Sequence, residues 1–430
     1  ISCSLVGSEM CIRDSADTRY YKDVSWAVID EKEHGGVMEI DKELMTKIYD
    51  LRRRLHSIPE ASMHEMQTKA VLMSFLRENT DLEIVDRGAW FYAVLKSSDD
   101  RIWDEERTPI AFRADMDAVC GQDGKPGHYC GHDGHSSILC GAAVWLSRAM
   151  EKCENTHVCD RNNDSGAICQ NQIINRDVYF IFQPGEEIGA GARLCRDLII
   201  EKNIGEIYGL HNIPGYPRNH VLTIDGTFAC ASTGLEIHMI GTASHAAYPE
   251  AGKNPGPALA RLLLEIEKLT EEYNRSREFV RMTLIGMDIG SANYGVAASE
   301  GTLRMTVRAE REKVFAVYVD EIKQIAQNTA DDGGFTLDIQ EIERFPATEN
   351  HAVNVDKLRK CAADQNIVVT ELAEPMRWSE DFGYYLQETK GAFFGVGDGE
   401  DHAQLHTAGF EFPDEIIETA VKMFVGLALM

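Results

Sequence analysis

The sequence has little positive charge and no long hydrophobic run. Among 430 residues, 43 Lys and Arg stand against 70 Asp and Glu, which gives a formal net charge of −27. Such a charge repels phosphate backbones and anionic lipid, so neither a nucleic acid nor a membrane surface is expected as a partner. Because no run of about 18 apolar residues occurs, a membrane-spanning helix is not expected either. The composition is that of a soluble globular protein of two or three domains.

The cysteines are too few to form a disulfide scaffold in a chain of this length. The sequence has eleven cysteines and no C-x-x-C pair. A disulfide scaffold is therefore not expected, and a reducing, cytoplasmic location is the default. The first 14 residues lack the basic and apolar regions of a secretory signal. Because the segment SEMCIRDS is similar to a translated sequencing-adaptor fragment, we expect residues 1–15 to be a non-native or disordered arm.

Two common catalytic and binding motifs are also absent. No G-x-S-x-G sequence occurs, which argues against a serine nucleophile on a strand-to-helix turn. The glycines at Gly189 and Gly191 do not complete a dinucleotide-binding or phosphate-binding loop. Serine hydrolases and nucleotide-dependent enzymes are therefore poor interpretations of this chain.

Hydrophobic periodicity predicts an α/β fold made of two kinds of region. Residues 40–79 predict two helices, and several short strands that end in polar residues follow them. Between about Cys230 and Ile342 the order β-α-β-β-α-β is that of a split βαβ, ferredoxin-like unit with four strands. We therefore expect catalytic-domain segments at 39–229 and 344–430, with a four-stranded α+β lid domain inserted at 230–343.

Residues 151–177 separate two predicted elements of the first segment. They are rich in Asn, Asp and Cys without an apolar period, which predicts an exposed loop. Cys153, Cys159 and Cys169 lie in it, and their spacings of six and ten fit no zinc-finger pattern.

The sequence HYCGHDGH, at residues 128–135, concentrates potential metal ligands in one glycine-punctuated turn. Cys130 and His132 are two residues apart, so both side chains can face one centre. A thiolate with an imidazole suits Zn, Co, Ni or Fe better than Mg or Ca. His128, Asp133 and His135 are candidates for structural or supporting roles.

A pair of carboxylates follows the predicted strand VYFIF. Pro184 and Gly185 predict a sharp turn there, directly before Glu186 and Glu187. Adjacent residues project in different directions, so one carboxylate can bind a metal while the other moves a proton. This is the division of labour that metal-assisted hydrolysis needs.

Two more histidines and two aspartates complete the candidate set. His211 ends the predicted strand EIYGL, and His406 lies in AQLHTAGF. Taken alone, each is more typical of an ordinary surface or packed histidine than of a metal ligand. Asp115 and Asp117, two residues apart at the end of a strand, face the same side and are placed to orient imidazole rings from behind.

Taken together, these motifs resemble the amidohydrolase branch of the aminoacylase and carboxypeptidase-like metallopeptidases. That branch contains hippurate hydrolase, N-acetyl-diaminopimelate deacetylase, aminobenzoyl-glutamate hydrolase and indole-acetyl-amino-acid hydrolases. The matching stretches lie in family order from about residue 40 to 427: LRRRLHSIPEAS, IAFRADMDAV, HYCGHDGHSS, FQPGEEIGAGA, GLHNIPG, GTASHAAYPEAGKNP, SEDFGYYL and LHTAGFEFPDE.

The resemblance implies a zinc-peptidase-like catalytic domain with a mixed sheet and a site for two divalent ions, Zn or Mn, with Co or Ni as further options. The implied metal ligands are Cys130, His132, Glu187, His211 and His406. Glu186 would be the general base toward a metal-bridging water that attacks an amide carbonyl. His245 would stabilise the oxyanion, either from the lid or from a partner subunit. A structural role for His245 on the inserted domain remains the alternative.

Departures from the family pattern concern the lid and the rim of the site. The family's substrate loop appears here as GSANYGVAAS, without its proline, and Asn293 is the best match to the substrate-binding asparagine. Arg304 is placed either to meet a substrate carboxylate or to pair with the protein's own acids. The resemblance is also compatible with a homodimer formed through the inserted domain, and an exposed sheet edge that is blunted by charge is the equal alternative.

The predicted function is cleavage of the amide bond of an N-acyl amino acid or a related aminoacyl conjugate. A dipeptidase or carboxypeptidase with the same site is the alternative enzyme. A non-catalytic metal-binding protein is a more distant alternative, because the loss of a ligand or of the base would mark it and neither is lost.

Overall fold

A computed structural model of the chain describes residues 38–97, 108–121, 124–155 and 174–430. Its α-helices are α1 (Lys42–His56), α2 (Met66–Asn79), α3 (His132–Asn155), α4 (Gly191–Cys195), α5 (Asp197–Glu201), α6 (Gly256–Arg275), α7 (Glu312–Gly333), α8 (Ala352–Asp364), α9 (Gly383–Leu386) and α10 (Ile417–Ala428). Short 3₁₀ helices lie at Pro249–Ala251 and Asp414–Ile416.

The strands of the described residues form two larger sheets and three short pairs. They are β1 (Glu83–Asp86), β2 (Phe91–Leu95), β3 (Ile110–Asp115), β4 (Val119–Cys120), β5 (Pro126–Gly127), β6 (Val178–Gln183), β7 (Glu206–Pro214), β8 (Val221–Thr223), β9 (Gly226–Ala229), β10 (Ala231–Ile240), β11 (Ser244–His245), β12 (Val280–Ile289), β13 (Val296–Ala297), β14 (Glu300–Ala309), β15 (Thr336–Phe345), β16 (Thr348–Asn350), β17 (Val369–Glu371) and β18 (Lys390–Gly399).

The larger sheet has eight strands in the order β1-β2-β6-β3-β7-β18-β8-β17. Its four central strands, β6, β3, β7 and β18, are mutually parallel, whereas β1, β2 and β8 each pair antiparallel with a neighbour. The central strands are buried along nearly their whole length, which is typical of a parallel sheet covered on both faces. The chain therefore has the mixed α/β fold predicted from the sequence.

Strand β6 shows how the sheet divides the core. Val178, Phe180 and Phe182 pack with the helices of one face, whereas Tyr179 and Ile181 pack on the other. Such alternation is the consequence of side chains pointing to opposite faces of a strand. The first face is covered mainly by α1, α3 and α10, and its core is the larger of the two.

The second sheet has four antiparallel strands in the order β12-β14-β10-β15. Helices α6 and α7 pack on one of its faces, burying Leu259, Leu262, Phe315 and Ile322 in a hydrophobic cluster of its own. Apart from the short strands β11 and β13 and one 3₁₀ helix, the chain order is β10-α6-β12-β14-α7-β15, which is that of a split βαβ unit. The domain limits at 230 and 343, and the action of this unit as a lid, stay predictions.

Helix α3 is longer than the apolar pattern predicts. The pattern indicates a helix from Ser136 to Met150, but α3 begins at His132 and continues to Asn155. The loop prediction for 151–177 is therefore wrong at its start, because the helix carries its backbone hydrogen bonds beyond the apolar stretch. Residues 156–173 and the arm at 1–15 lie outside the described residues. None of the described helices is both long and apolar enough to cross a membrane.

Candidate metal centre

The carboxyl ends of three neighbouring parallel strands bring the predicted residues together. In the register of β3 and β6, Asp115 pairs with Gln183, so the segments that follow both strands start at the same level. Glu186 and Glu187 come three and four residues after Gln183, and His211 lies within the adjacent strand β7. The edge formed by the carboxyl ends of parallel strands is where open α/β sheets bind ligands.

A glycine at the start of α3 places Cys130 and His132 beside this edge. Gly131 has φ +100°, in the region that favours glycine. A Cβ atom on Gly131 would lie 2.5 Å from Oδ1 of Asn212 and 2.9 Å from the ring of Phe412. The backbone therefore approaches β7 closely enough for the thiol and the imidazole to face the strand ends.

The five predicted ligands form one cluster. Cys130 Sγ lies 3.4 Å from His211 Nε2 and 3.3 Å from His406 Nε2. Glu187 Oε1 lies 3.7 Å from His132 Nε2 and 3.4 Å from His406 Nε2. Two close groups of ligand atoms share Cys130, one with His132 and His211 and one with Glu187 and His406, and a third group joins His132 to Glu186 and Glu187.

The donor set fits divalent metal ions. His132 Nε2 and Glu187 Oε1 are buried and have no hydrogen-bond partner within the described chain, although an unpaired buried polar atom is costly. Both atoms point into the cluster, toward each other. A thiol, three imidazoles and a carboxylate together suit zinc and other transition metals better than magnesium or calcium.

Supporting hydrogen bonds orient the imidazole rings. His132 Nδ1 lies 3.1 Å from Asp117 Oδ1, and His211 Nδ1 lies 2.7 Å from the backbone oxygen of Asn212. Both contacts leave Nε2 directed at the cluster, which is the arrangement of metal-binding histidines. Asp117 Oδ2 also accepts a hydrogen bond from the backbone N–H of Glu187, at 3.0 Å.

Asp115 supports the cluster less directly. Its Oδ1 lies 2.7 Å from His135 Nδ1, and His135 Nε2 lies 2.8 Å from Asn212 Oδ1. His135 is therefore held between β3 and β7 without facing the cluster. Asp133 contacts His56 instead, with Oδ2 2.8 Å from its Nδ1, so it connects α3 to α1.

Glu186 lies beside the cluster in an unusually acidic and buried environment. Its Oε1 accepts a hydrogen bond of 3.4 Å from the backbone N–H of Asp381, and the side chains of Glu380 and Asp381 lie nearby. Burial raises the pKa of Glu186 well above its usual range, and the neighbouring Glu380 and Glu187 raise it further. A raised pKa is what a carboxyl that both takes and returns a proton requires.

One buried arginine balances these carboxylates, and sequence reasoning missed its role. Arg113 donates to Asp115 Oδ2 and Asp381 Oδ1, each at 2.8 Å, and lies 3.0 Å from Glu380 Oε1. It also donates to Gln183 Oε1 at 2.8 Å. Glu380 and Asp381 belong to the motif SEDF, but nothing in the local pattern shows that they contact a strand 268 residues away.

A cavity of about 410 Å³ opens in front of the cluster. The candidate ligands Cys130, Glu187, His211 and His406 line its floor together with Glu186 and Glu380. The remaining wall is mostly apolar and contains Ile213, Pro214, Tyr216, Met376, Trp378, Ser379, Gln404 and Leu405. The ring of Trp378 lies 5.4 Å from that of His211, so the apolar wall reaches the candidate ligands.

Three other predicted residues do not line this cavity. His245 is exposed on β11, which pairs with β13. Asn293 is exposed, and its side chain accepts a hydrogen bond from the backbone of Gly295. Arg304, on β14, donates to Glu236 at 2.6 Å and also pairs with Asp288. Arg304 therefore pairs with acids of the protein itself, which is one of the two roles considered for it.

A mixed sheet with thiol, imidazole and carboxylate side chains gathered at its strand ends is typical of a metallohydrolase. A profile of the family described as Peptidase family M20/M25/M40 matches residues 167–430, more than half of the chain. The chain belongs to this family, which confirms the resemblance seen in the motifs.

Curated relatives match nearly the whole chain. The sequence is 24% identical over 401 residues to N-acetylcysteine deacetylase of Bacillus subtilis (strain 168), covering 91% of this chain and 98% of the relative. It is 27% identical over 404 residues to N-acetyldiaminopimelate deacetylase of Leuconostoc citreum (strain KM20), covering 87% and 94%.

Solved structures share the fold. A dinuclear metal binding peptidase of this family from Bacillus subtilis has a TM-score of 0.72 at 22% identity, covering 91% of this chain and 98% of that one. The aminobenzoyl-glutamate utilization protein from Klebsiella pneumoniae has a TM-score of 0.65 at 18% identity, covering 90% and 96%.

Proposed function

We propose that this chain is a metal-dependent amidohydrolase that cleaves the amide bond of an N-acyl amino acid or a related aminoacyl conjugate. The family makes it a hydrolase of amide bonds. The observation that carries the proposal is the position of Glu186, which is buried beside the cluster of five candidate metal ligands, four of which line the floor of the same cavity. Two relatives, by their names, remove acetyl groups from N-acetylcysteine and N-acetyldiaminopimelate, which supports this substrate class.

Cys130, His132, Glu187, His211 and His406 would hold two divalent ions. Cys130 belongs to both ligand groups and is therefore the candidate for a shared ligand. Because one ligand is a thiolate, zinc is favoured, and manganese, cobalt and nickel are the alternatives. When bound, such ions lower the pKa of water and polarise a carbonyl group.

Glu186 would act as the general base and then as the general acid. It takes a proton from the water that attacks the amide carbonyl, and a C–O bond forms. It then returns the proton to the nitrogen as the C–N bond breaks, so the products are a carboxylic acid and an amine. The backbone N–H of Asp381, which donates to Glu186 Oε1 at 3.4 Å, would help to hold that carboxyl in place.

The cavity wall favours an uncharged group next to the scissile bond. Ile213, Met376, Trp378 and Leu405 offer apolar surface. An apolar acyl group would bind against this wall with a lower desolvation cost than an anionic one.

The four-stranded unit is proposed to be a lid and a dimerisation surface. His245 lies on this unit and would stabilise the oxyanion, either after the lid closes or from a partner subunit. Asn293 would reach the substrate by one of the same two routes. Exposed apolar residues on the edge strand β12, Leu284 and Ile285, support an interface there. The proposed location is the cytoplasm, because the eleven cysteines are too few for a disulfide scaffold.

Amine release from a panel of N-acetyl amino acids, N-benzoyl amino acids and dipeptides tests the function. The protein is stripped of metal, reloaded with Zn²⁺ or Mn²⁺ and compared with the stripped sample. Metal-dependent release from the N-acyl substrates is the expected result. Release confined to dipeptides would favour a dipeptidase, and no release at full metal occupancy would favour a metal-binding protein without this activity.

A further inference from the structure

Glu65 is a buried carboxylate that the candidate site does not use. It is 3% exposed and lies immediately before α2. Its Oε1 accepts a hydrogen bond of 2.7 Å from the backbone N–H of Met63 and one of 2.8 Å from the backbone N–H of Gly185. The second bond joins the start of α2 to the turn that follows β6.

That turn carries the two central carboxylates of the site. Gly185 directly precedes Glu186 and Glu187, and its φ of +58° favours glycine. A Cβ atom there would lie 2.7 Å from Sδ of Met63, so the Met63–Glu65 segment also packs against the turn. The carbonyl of Gly185 accepts from Ala190 and Gly191 at 3.2 and 3.1 Å. The peptide groups on both sides of Gly185 are therefore anchored, and Glu65 is the acceptor for its N–H.

We propose that Glu65 is a positioning residue, which fixes the Pro184–Gly185 turn and thereby the directions of Glu186 and Glu187. The roles of those two carboxylates rest on the proposed function, but the fixing of the turn does not. Burial raises the pKa of Glu65 to about 7, and the nearby Asp117 contributes to this. Burying such a group without a polar partner is unfavourable, which is consistent with the two N–H groups being its purpose.

Glu60 provides a matched control at the same end of α2. Its carboxylate accepts hydrogen bonds from the backbone N–H groups of Gln67 and Thr68 and from both of their side chains. These bonds stabilise the first turn of α2 and do not involve Gly185. Glu60→Leu therefore removes a glutamate of similar structural importance without releasing the turn.

Hydrogen exchange of the metal-loaded full-length protein tests the proposal directly. In Glu65→Leu the Gly185 amide loses its acceptor, so exchange in a peptide covering residues 183–190 should accelerate at least tenfold. In Glu65→Gln it should stay within twofold of the wild type, because the amide oxygen accepts the same two bonds. In Glu60→Leu exchange should accelerate at Gln67 and Thr68 and stay unchanged at Gly185.

Metal affinity and kinetics provide the second measurement. Loss of a supporting hydrogen bond behind a metal site typically costs about 10- to 100-fold in affinity or activity. We expect a loss of that size in Mn²⁺ affinity and in kcat for Glu65→Leu, with a smaller change in KM and with recovery in Glu65→Gln. If Glu65→Leu does not fold, Glu65→Asp replaces it, because the shorter side chain keeps its charge but draws back from Gly185.

Equal exchange at Gly185 in the wild type and in Glu65→Leu or Glu65→Asp would overturn the proposal. So would equal losses of metal affinity in the Glu65 and Glu60 variants. If the wild type hydrolyses no substrate, the exchange and metal measurements still decide the role of Glu65. Failure of the Glu65 proposal and failure of the proposed function are therefore distinguishable.

Discussion

Asp117 Oδ1 lies 3.1 Å from His132 Nδ1, on the side of the imidazole ring that faces away from the candidate metal cluster. The same carboxylate accepts a hydrogen bond from the backbone of Glu187 through Oδ2. One aspartate thus orients two candidate ligands that come from different parts of the chain.

Replacing Asp117 by Asn should weaken metal binding without unfolding the protein. A carboxylate has two acceptor oxygens, one for the His132 ring and one for the backbone N–H of Glu187, whereas an amide has only one. With Asn one of these two contacts is lost, and His132 is no longer held in its preferred tautomer. We expect metal affinity to fall by about 10- to 100-fold in equilibrium dialysis. The control is Ser62→Ala, which removes a hydrogen bond to Oδ2 and leaves Oδ1 in place. Equal affinity in the two variants would contradict the role of the His132 contact.

Cys130 should matter for both metal positions, because it belongs to both ligand groups. We expect Cys130→Ala to retain less than one metal ion per chain after dialysis. His406→Ala removes a ligand from one group only and should retain about one ion. Elemental analysis of the dialysed proteins measures the stoichiometry, and two retained ions in Cys130→Ala would be incompatible with a shared ligand.

Arg113 should contribute strongly to stability. It is buried among Asp115, Glu380 and Asp381, and its loss leaves Glu380 and Asp381 without their arginine partner while Asp115 keeps only its contacts with histidines. Arg113→Met should lower the free energy of unfolding in urea by about 3–5 kcal/mol. Arg359 is the matched control, since it pairs with several acids at the surface.

Arg359→Met should cost less than about 1 kcal/mol, because exposed ion pairs are weak. A similar small cost for Arg113→Met would show that the buried carboxylates are neutral or otherwise compensated.

Stability should depend on pH through Asp398. Burial raises the pKa of this side chain to about 7, although a hydrogen bond from Asn212 opposes the shift. Since the ordinary pKa lies near 3.8, the folded state favours the neutral form. The contribution of Asp398 to the free energy of unfolding is therefore fully present below about pH 4 and is lost as the pH rises through about 7.

Asp398→Asn keeps this position uncharged at every pH. Between pH 5 and pH 8.5 its free energy of unfolding should therefore fall less than that of the wild type. Asp401→Asn changes an exposed aspartate nearby and should follow the wild-type curve. If the free energy of unfolding depends on pH in the same way in the wild type and in Asp398→Asn, the raised pKa assigned to Asp398 is wrong.

Much of the candidate site was predictable because its residues follow strands. Asp115, Glu187 and His211 each come near the carboxyl end of a strand with a clear apolar pattern, and parallel strands bring such ends together. The contacts of Glu380 with Arg113 were not predictable. They depend on the packing of a loop against a strand far away in sequence, and no local period records that packing.

The four-stranded unit shows the same limit at the level of the fold. Its strands and helices follow from regular apolar patterns, and the order of elements agrees with the prediction. The short strands β8 and β17, with three residues each, are too brief to produce a pattern. The position of His245 relative to the cavity depends on how the four-stranded unit is arranged relative to the eight-stranded sheet. A local sequence pattern does not determine that arrangement.

The most direct test of the account compares metal-loaded wild type with Glu186→Gln. The substitution removes the proton acceptor and leaves the five candidate ligands unchanged, so both proteins should retain the same amount of metal. Amine release from an N-acyl amino acid should fall by about 100-fold or more in Glu186→Gln. If Glu186→Gln keeps wild-type activity at equal metal content, Glu186 is not the general base and the proposed mechanism is wrong.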